Sequence, residues 1–344
     1  MDCYEHGGDV YGNPGIRLDF SVNTHPLGIP QRAREALLAQ AEAFSRYPDP
    51  QCRALRQALA RRHGVAPENI LCGNGAADLI FRICACLRPR RALTLAPTFS
   101  EYRRTVELFG GSMAEHRLRE EDGFALGEEV LAALLPGAEA FFLCNPNNPT
   151  GRLAPEALLP SIARACAQNG ALLVVDECFL AFTRGASLAA LCREFPNLLI
   201  LNAFTKFYGL AGLRLGYLLG DGALLARIEA FGAPWSVSAA AQAAGLGALA
   251  EPGWEARTLA LVEGERAFLD VGVRALGLTV FPSDANFLLC KSPVPLHEPL
   301  KRRGILVRSC ANFTGLDEGY LRIGIKTREQ NAALLSAMGE ALHG

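Results

Sequence analysis

Three ionisable side chains stand beside apolar runs in an order that suggests joint chemistry. Asp176, followed by Glu177, closes the run ALLVV at 171–175. Lys206 follows a second run, LLILNAF, at 198–204. A glycine-rich turn then leads to Arg214 in LRLGYLLG at 213–220. A lysine next to such a run is placed for burial, and burial favours the uncharged amine, which is a nucleophile. Two further turns follow strand-like runs. In CGNGAADLI (72–80) the glycines end a run and open a helix, whose first backbone N–H groups favour an anion. In NPNNPTG (145–151) the Asn-Pro steps force a loop that exposes polar amides.

A carboxylate, an amine and a guanidinium at the ends of neighbouring strands suit pyridoxal phosphate (PLP). The lysine would form an imine with the aldehyde, and Asp176 would keep the pyridine nitrogen protonated so that the ring can accept electrons. Arg214 would face the phosphate.

The surrounding elements alternate. Helical periodicity marks 30–44, 52–64, 99–110 and 154–170. Short apolar runs at 91–97, 138–146, 171–177, 197–203 and 213–220 read as buried strands of a mostly parallel sheet, and ENILCGNGAADLIFRICACL (68–87) as strand, turn and helix. From 238 to 276 the pattern is helical. The runs LTVFP, NFLLC, ILVRSC and YLRIGI and a last helix, REQNAALLSAMGEALH, then predict a smaller α+β unit. Residues 1–29 are rich in Gly, Pro and Asn and predict turns. The expected division is an N-terminal arm over the site (1–29), a large cofactor-binding domain (30–237) and a small C-terminal domain (238–344).

With 344 residues and a net charge of −1, the chain can bury a large core and carries no basic excess that would favour nucleic acid or a membrane surface. No apolar run is long enough to span a bilayer, and the N-terminal sequence lacks a signal-peptide pattern. The eleven cysteines are scattered, several within apolar runs, and read as small buried hydrophobes in a reducing cytoplasm. Cys84 and Cys86 form the close pair, but no second His or Cys pair completes a metal site.

The strings NPNNPTG, DECF and TKFYGLAGLRLGY together resemble the fold-type-I PLP enzymes, in the aminotransferase class I/II group, over nearly the whole chain. That resemblance implies an α/β fold like that of aspartate aminotransferase, with a seven-stranded mixed sheet in the large domain. It also implies a homodimer with its active sites at the interface. It casts Lys206 as the imine lysine, Asp176 as partner of the pyridine nitrogen, Asn148 as donor to the ring hydroxyl and Phe99 as the stacking aromatic. Gly75, Ala76, Thr205 and Arg214 would form the phosphate cup, and Tyr47 would reach a neighbouring subunit's cofactor phosphate. Arg322 would clamp the substrate α-carboxylate. Two positions depart from the group: Phe179 replaces a tyrosine that donates to the ring hydroxyl, and Ala203 replaces a hydroxyl residue near the cofactor phosphate.

HGGD (6–9), LDFSVNTHPLGIP (18–30), RYPDP (46–50) and RSCANFTGLDEGYLRIGIK (308–326) resemble a branch of that family acting on phosphorylated substrates. The implied reaction is decarboxylation of L-threonine O-3-phosphate for cobalamin biosynthesis. Transamination of histidinol phosphate or a similar compound is the alternative, and a non-catalytic binding protein of the same fold is the third reading. A phosphorylated substrate needs a second anion site, for which Arg308 is the candidate, with His6 and Asn23 closing over the substrate. His25 stands where the branch usually has asparagine. Whether the carboxylate or the hydrogen leaves the α-carbon depends on how the substrate is positioned, which the sequence does not set.

Overall fold

The computed structural model describes residues 6–134 and 137–343. Its central element is a seven-stranded sheet. The strand order is Ile70–Gly73, Gly216–Leu219, Leu198–Ala203, Leu172–Asp176, Ala140–Cys144, Arg91–Ala96 and Ser112–Arg117. Gly216–Leu219 runs antiparallel to both neighbours, and the remaining pairs are parallel. The sheet is therefore mixed, as the family resemblance implies. Its central strands are uninterrupted apolar runs because both faces are covered. Leu173, Val175, Leu198 and Ile200 enter the core on one side, and Val174, Leu199, Leu201 and Phe142 enter the other.

The antiparallel strand places the chemistry. Parallel strands deliver the ends of Leu172–Asp176 and Leu198–Ala203 to one edge of the sheet. A reversed strand begins at that same edge, so the turn before Gly216–Leu219 brings Arg214 there as well. Arg214 thus precedes its strand instead of ending one. It adopts a left-handed backbone conformation (φ 56°) at the end of the short helical turn Ala211–Leu213.

A second, four-stranded antiparallel sheet has the order Arg308–Ser309, Tyr320–Gly324, Phe287–Lys291 and Thr279–Val280. Helix Arg328–His343 covers it through Leu334 and Met338. The run ILVRSC, expected as one strand, is divided between two sheets. Ile305–Leu306 pairs with Leu18–Asp19, while Arg308–Ser309 joins the four-stranded sheet. The N-terminal segment pairs with the smaller unit at Leu18–Asp19, with Phe20 buried in that unit's core.

The helical stretch at 238–276 is two helices, Ala239–Leu249 and Trp254–Ala275, separated by Pro252 and by Gly253 at φ 65°. The first packs Ala241, Ala244 and Ala248 into the core cluster that includes the large sheet. The second bridges the units: Trp254 and Val262 join the large core, and Leu269 and Val273 the small one. The strand Ser112–Arg117 was not foreseen. It lies at the sheet edge with an irregular, partly exposed burial pattern, so it lacks the apolar signature of its neighbours. No helix among the described residues is long and apolar enough to cross a membrane.

Candidate active site

Where the two units meet, a cavity of about 420 Å³ opens at the strand ends. It is lined by Lys206, Asp176, Asn148, Phe99, Ala76, Thr205 and Arg214 from the large unit, Arg308 and Arg322 from the small one, and His6 from the N-terminal segment. The tertiary structure thus gathers side chains spread over more than 300 residues of sequence.

Lys206 sits in the short helix Phe204–Phe207, directly after strand Leu198–Ala203. Burial, aided by the positive charge of Arg322, lowers its amine to about 8. The amine is therefore available in its nucleophilic form near neutral pH. Asp176 is buried at the end of its own strand. One oxygen, Oδ2, accepts the Tyr102 hydroxyl at 2.7 Å, and Oδ1 accepts the Cys178 N–H at 3.0 Å. Burial nevertheless raises its carboxyl above the usual range. A buried carboxylate held by neutral donors is stabilised by a cation alongside it, such as a protonated pyridine nitrogen.

The phosphate end is equally specific. Helix Ala76–Leu87 starts at the cavity, with Ala76 and Ala77 on its wall. Gly75 stands just before it at φ 88°, and a Cβ there would lie 2.7 Å from the Arg214 guanidinium. The backbone conformation there favours glycine, and the arginine's terminal nitrogen closes directly over it. A helix start, an arginine pressed against it and the nearby Thr205 form a cup for a dianion.

Only one asparagine of NPNNPTG lines the cavity. Asn145 accepts the Ala154 N–H at 2.8 Å, and Asn147 donates to the Pro97 carbonyl at 2.9 Å, so both brace the loop. Asn148 reaches Arg322, whose Nη1 donates to its Oδ1 at 2.5 Å. Arg322 Nη2 donates to the Ser21 carbonyl at 2.7 Å, and burial lowers the guanidinium to about 10. Arg308 lies directly opposite Arg322 in strand register, donates to Asn312 Oδ1 at 2.8 Å and stands 5.4 Å over the Phe313 ring. Phe99 packs edge-on against Tyr102 and presents its ring to the cavity.

Three sequence candidates fall outside the cavity lining: Gly75, which stands just behind it under Arg214, Asn23 and Tyr47. Asn23 is buried beside Gly324, and its neighbours Ser21 and Val22 line the wall in its place. Both polar atoms of its side chain are without a partner among the described residues. Tyr47 is 80% exposed and stacks on Trp235, away from this chain's own cavity. His25 is also remote from the cavity wall. It bonds to Thr258 Oγ1 at 2.8 Å and packs on Trp254, with burial lowering its imidazole to about 4.

Sequence reasoning missed Tyr102, Glu101, Arg104, Cys144 and Cys178. Tyr102 carried a faint signal, a hydroxyl on the apolar face of helix Glu101–Leu108. Phe179 and Ala203 both line the cavity, so the two departures from the family pattern bear on the site itself. Among the described residues, no group of three His, Cys, Asp or Glu could hold a metal ion.

The set fits PLP: a buried amine for the aldehyde, a buried acid hydrogen-bonded by neutral donors for the ring nitrogen, a flat aromatic for the ring and an arginine beside a helix start for the phosphate. The comparisons with known proteins agree. The model of the family "Aminotransferase class I and II" matches residues 16–338. Threonine-phosphate decarboxylase of Salmonella typhimurium is 39% identical over 98% of this chain and 97% of the relative. Histidinol-phosphate aminotransferase of Clostridium acetobutylicum superposes with a TM-score of 0.89 at 26% identity, over 95% of this chain and 99% of that one. L-threonine-O-3-phosphate decarboxylase of Porphyromonas gingivalis does so with a TM-score of 0.84 at 27% identity, over 95% of this chain and 100% of that one. With a match to the family model over almost its whole length and the cavity chemistry to accompany it, the chain belongs to the class I and II aminotransferase family.

Proposed function

We propose that this chain decarboxylates L-threonine O-3-phosphate to (R)-1-aminopropan-2-ol O-2-phosphate and carbon dioxide, with PLP as cofactor, as a step in cobalamin biosynthesis. The observation that carries the reading is the pair Arg308 and Arg322, which face each other on adjacent strands and line one cavity. Like charges directly opposite each other are unfavourable unless anions lie between them. A substrate with an α-carboxylate and a phosphate supplies two. The Salmonella typhimurium relative, named for this activity and similar along its full length, supports the same substrate.

When bound, the cofactor supplies an electron sink for the bond that breaks at the substrate α-carbon. The chain's residues do the rest. Gly75, Ala76, Thr205 and Arg214 would hold its phosphate, Phe99 would pack on its ring, and Asp176 would keep a proton at the ring nitrogen. Asn148 would donate its amide to the ring oxygen. Arg322 keeps unused hydrogens on Nε, Nη1 and Nη2 beyond those given to Asn148 and Ser21, and turns them to the α-carboxylate. Arg308 and His6 bind the substrate phosphate, and Asn23 closes behind the segment that carries Ser21. Lys206 would be the point of attachment for the cofactor and would hold or deliver a proton at the substrate α-carbon. Carboxylate leaves as carbon dioxide, and a proton takes its place.

The protein works in this reading as a cytoplasmic homodimer. The exposed Tyr47–Trp235 stack supports a contact surface there, with Tyr47 reaching the cofactor phosphate of the second copy. The N-terminal segment from His6 onward closes over the site, residues 1–5 of the expected arm lying outside the described residues, and the large and small units bind cofactor and substrate between them.

A second reading, transamination of histidinol phosphate or a similar substrate, is favoured by one observation: Lys206, with its amine lowered to about 8, could equally take a proton from the α-carbon. One incubation separates the two. Carbon dioxide released from L-threonine O-3-phosphate with no 2-oxoglutarate present supports decarboxylation. Nitrogen transfer to 2-oxoglutarate from histidinol phosphate, with no carbon dioxide, replaces that reading by the second.

A further inference from the structure

We propose that Glu101 is a positioning residue that fixes His6 as an anion-binding donor at the mouth of the cavity, and so sets the preference for phosphorylated substrates; the substrate part rests on the function proposed above.

Glu101 brings a second carboxylate, besides Asp176, to a cavity that also holds Lys206, Arg214, Arg308 and Arg322. A bare carboxylate there would repel an anionic substrate. It is not bare. Its Oε1 is 3.0 Å from His6 Nε2, and its Oε2 accepts from Arg104 Nη1 at 2.8 Å. All three residues line the same cavity, and the His6 ring lies 6.0 Å from that of Phe99. These contacts tie the N-terminal segment to the first turn of helix Glu101–Leu108.

The tautomer follows from this geometry. A carboxylate only accepts, so Nε2 must carry the hydrogen it shares with Glu101. Held at Nε2 by Glu101, the ring is fixed on the cavity wall with its other nitrogen, Nδ1, left to meet an incoming phosphate. With Arg104 balancing the carboxylate, the trio adds attraction for the anion. Glu101 need not touch the substrate to do this. Burial works against its ionised form, yet the contact with His6, the largest influence, and that with Arg104 hold its carboxyl below the usual range.

The test is a calorimetric titration of inorganic phosphate into PLP-loaded protein: wild type, Glu101→Gln, His6→Asn and the double variant. Positioning predicts that Glu101→Gln weakens phosphate binding by about 10-fold, in line with loss of one charge-assisted contact. His6→Asn should weaken it equally, and the double variant should be no weaker than His6→Asn alone. Plain electrostatics predicts the opposite sign, because removing a negative charge should tighten anion binding. Unchanged or tighter binding by Glu101→Gln, unchanged binding by His6→Asn, or additive losses in the double variant would each overturn the proposal. His6→Asn alters an exposed residue, so it remains informative if Glu101→Gln fails to fold. In turnover of L-threonine O-3-phosphate, Glu101→Gln should raise KM more than it lowers kcat. If wild type does not release carbon dioxide, the proposed function fails, while the phosphate titration still decides the role of Glu101.

Discussion

Arg322 Nη1 donates to Asn148 Oδ1 at 2.5 Å, which joins the small unit to the large one inside the cavity. The bond fixes the amide as well as the arginine. With its oxygen occupied by a guanidinium, Asn148 has its NH₂ as the group left to donate, which in the proposed function serves the cofactor ring oxygen. In the proposed function, one contact would therefore hold both the cofactor donor and the substrate clamp.

Two substitutions at Asn148 separate these duties. Asn148→Asp keeps an acceptor for Arg322 but removes the donor, while Asn148→Ala removes both. Asn148→Asp should change the absorption of the bound cofactor more than it changes KM. Asn148→Ala should also lower kcat/KM by about 10- to 100-fold, the range for one hydrogen bond to a charged group. Absorption spectra and steady-state kinetics, measured together, check the split.

Lys206→Ala should abolish the imine absorption band near the visible edge and reduce turnover by at least about 1,000-fold. The pH dependence of loading gives a finer check. Attack on the aldehyde needs the unprotonated amine, so the rate of PLP incorporation into apo-protein should rise with pH and level off above about 8, where burial and Arg322 place Lys206. An incorporation rate that keeps rising toward the ordinary lysine range would show that the amine is not desolvated.

Phe179 packs edge-on against Phe287 at 5.0 Å and lines the cavity. Phe179→Tyr restores a donor to the ring oxygen. One added hydrogen bond contributes about 1 kcal/mol, which should lower the spectroscopic pKa of the bound cofactor by about 0.7 units. A pH titration of absorbance reads it, and no shift would place the new hydroxyl away from the ring.

Glu177 is not part of the cavity wall, yet burial raises its carboxyl to about 7. Its oxygens meet the Ser187 hydroxyl at 2.6 Å and the Leu188 N–H at 2.8 Å. The folded value lies above the unfolded one, so the protonated acid is fully favourable below about 4.5 and that contribution is lost as pH rises through about 7. Glu177→Gln keeps an acceptor for Leu188 and a donor for Ser187 without the charge. It should match wild type in thermal unfolding near pH 5 and exceed it near pH 8.

The sequence by itself determined the catalytic vocabulary. Lys206, Asp176 and Arg214 were legible because each stands beside an apolar run, and a charged side chain at such a place signals a sheet edge. The glycine turn at 73–75 and the loop at 145–151 were legible from turn chemistry. Other features had no local signal. Tyr102 became the partner of Asp176 through contact between elements 74 residues apart in sequence. Glu101 acquired His6 across 95 residues. Asn23, on a segment that sequence placed over the site, turned into the interior while Ser21 faced the cavity. The division of ILVRSC between two sheets, the edge strand Ser112–Arg117 and the break at Pro252 depended on which neighbours were present to complete a ladder or a core. Periodicity and turn residues report a segment's own preference, because they arise from backbone sterics and local burial. Which side chain meets which is settled only when the sheets pack, since those contacts are chosen by the whole chain at once.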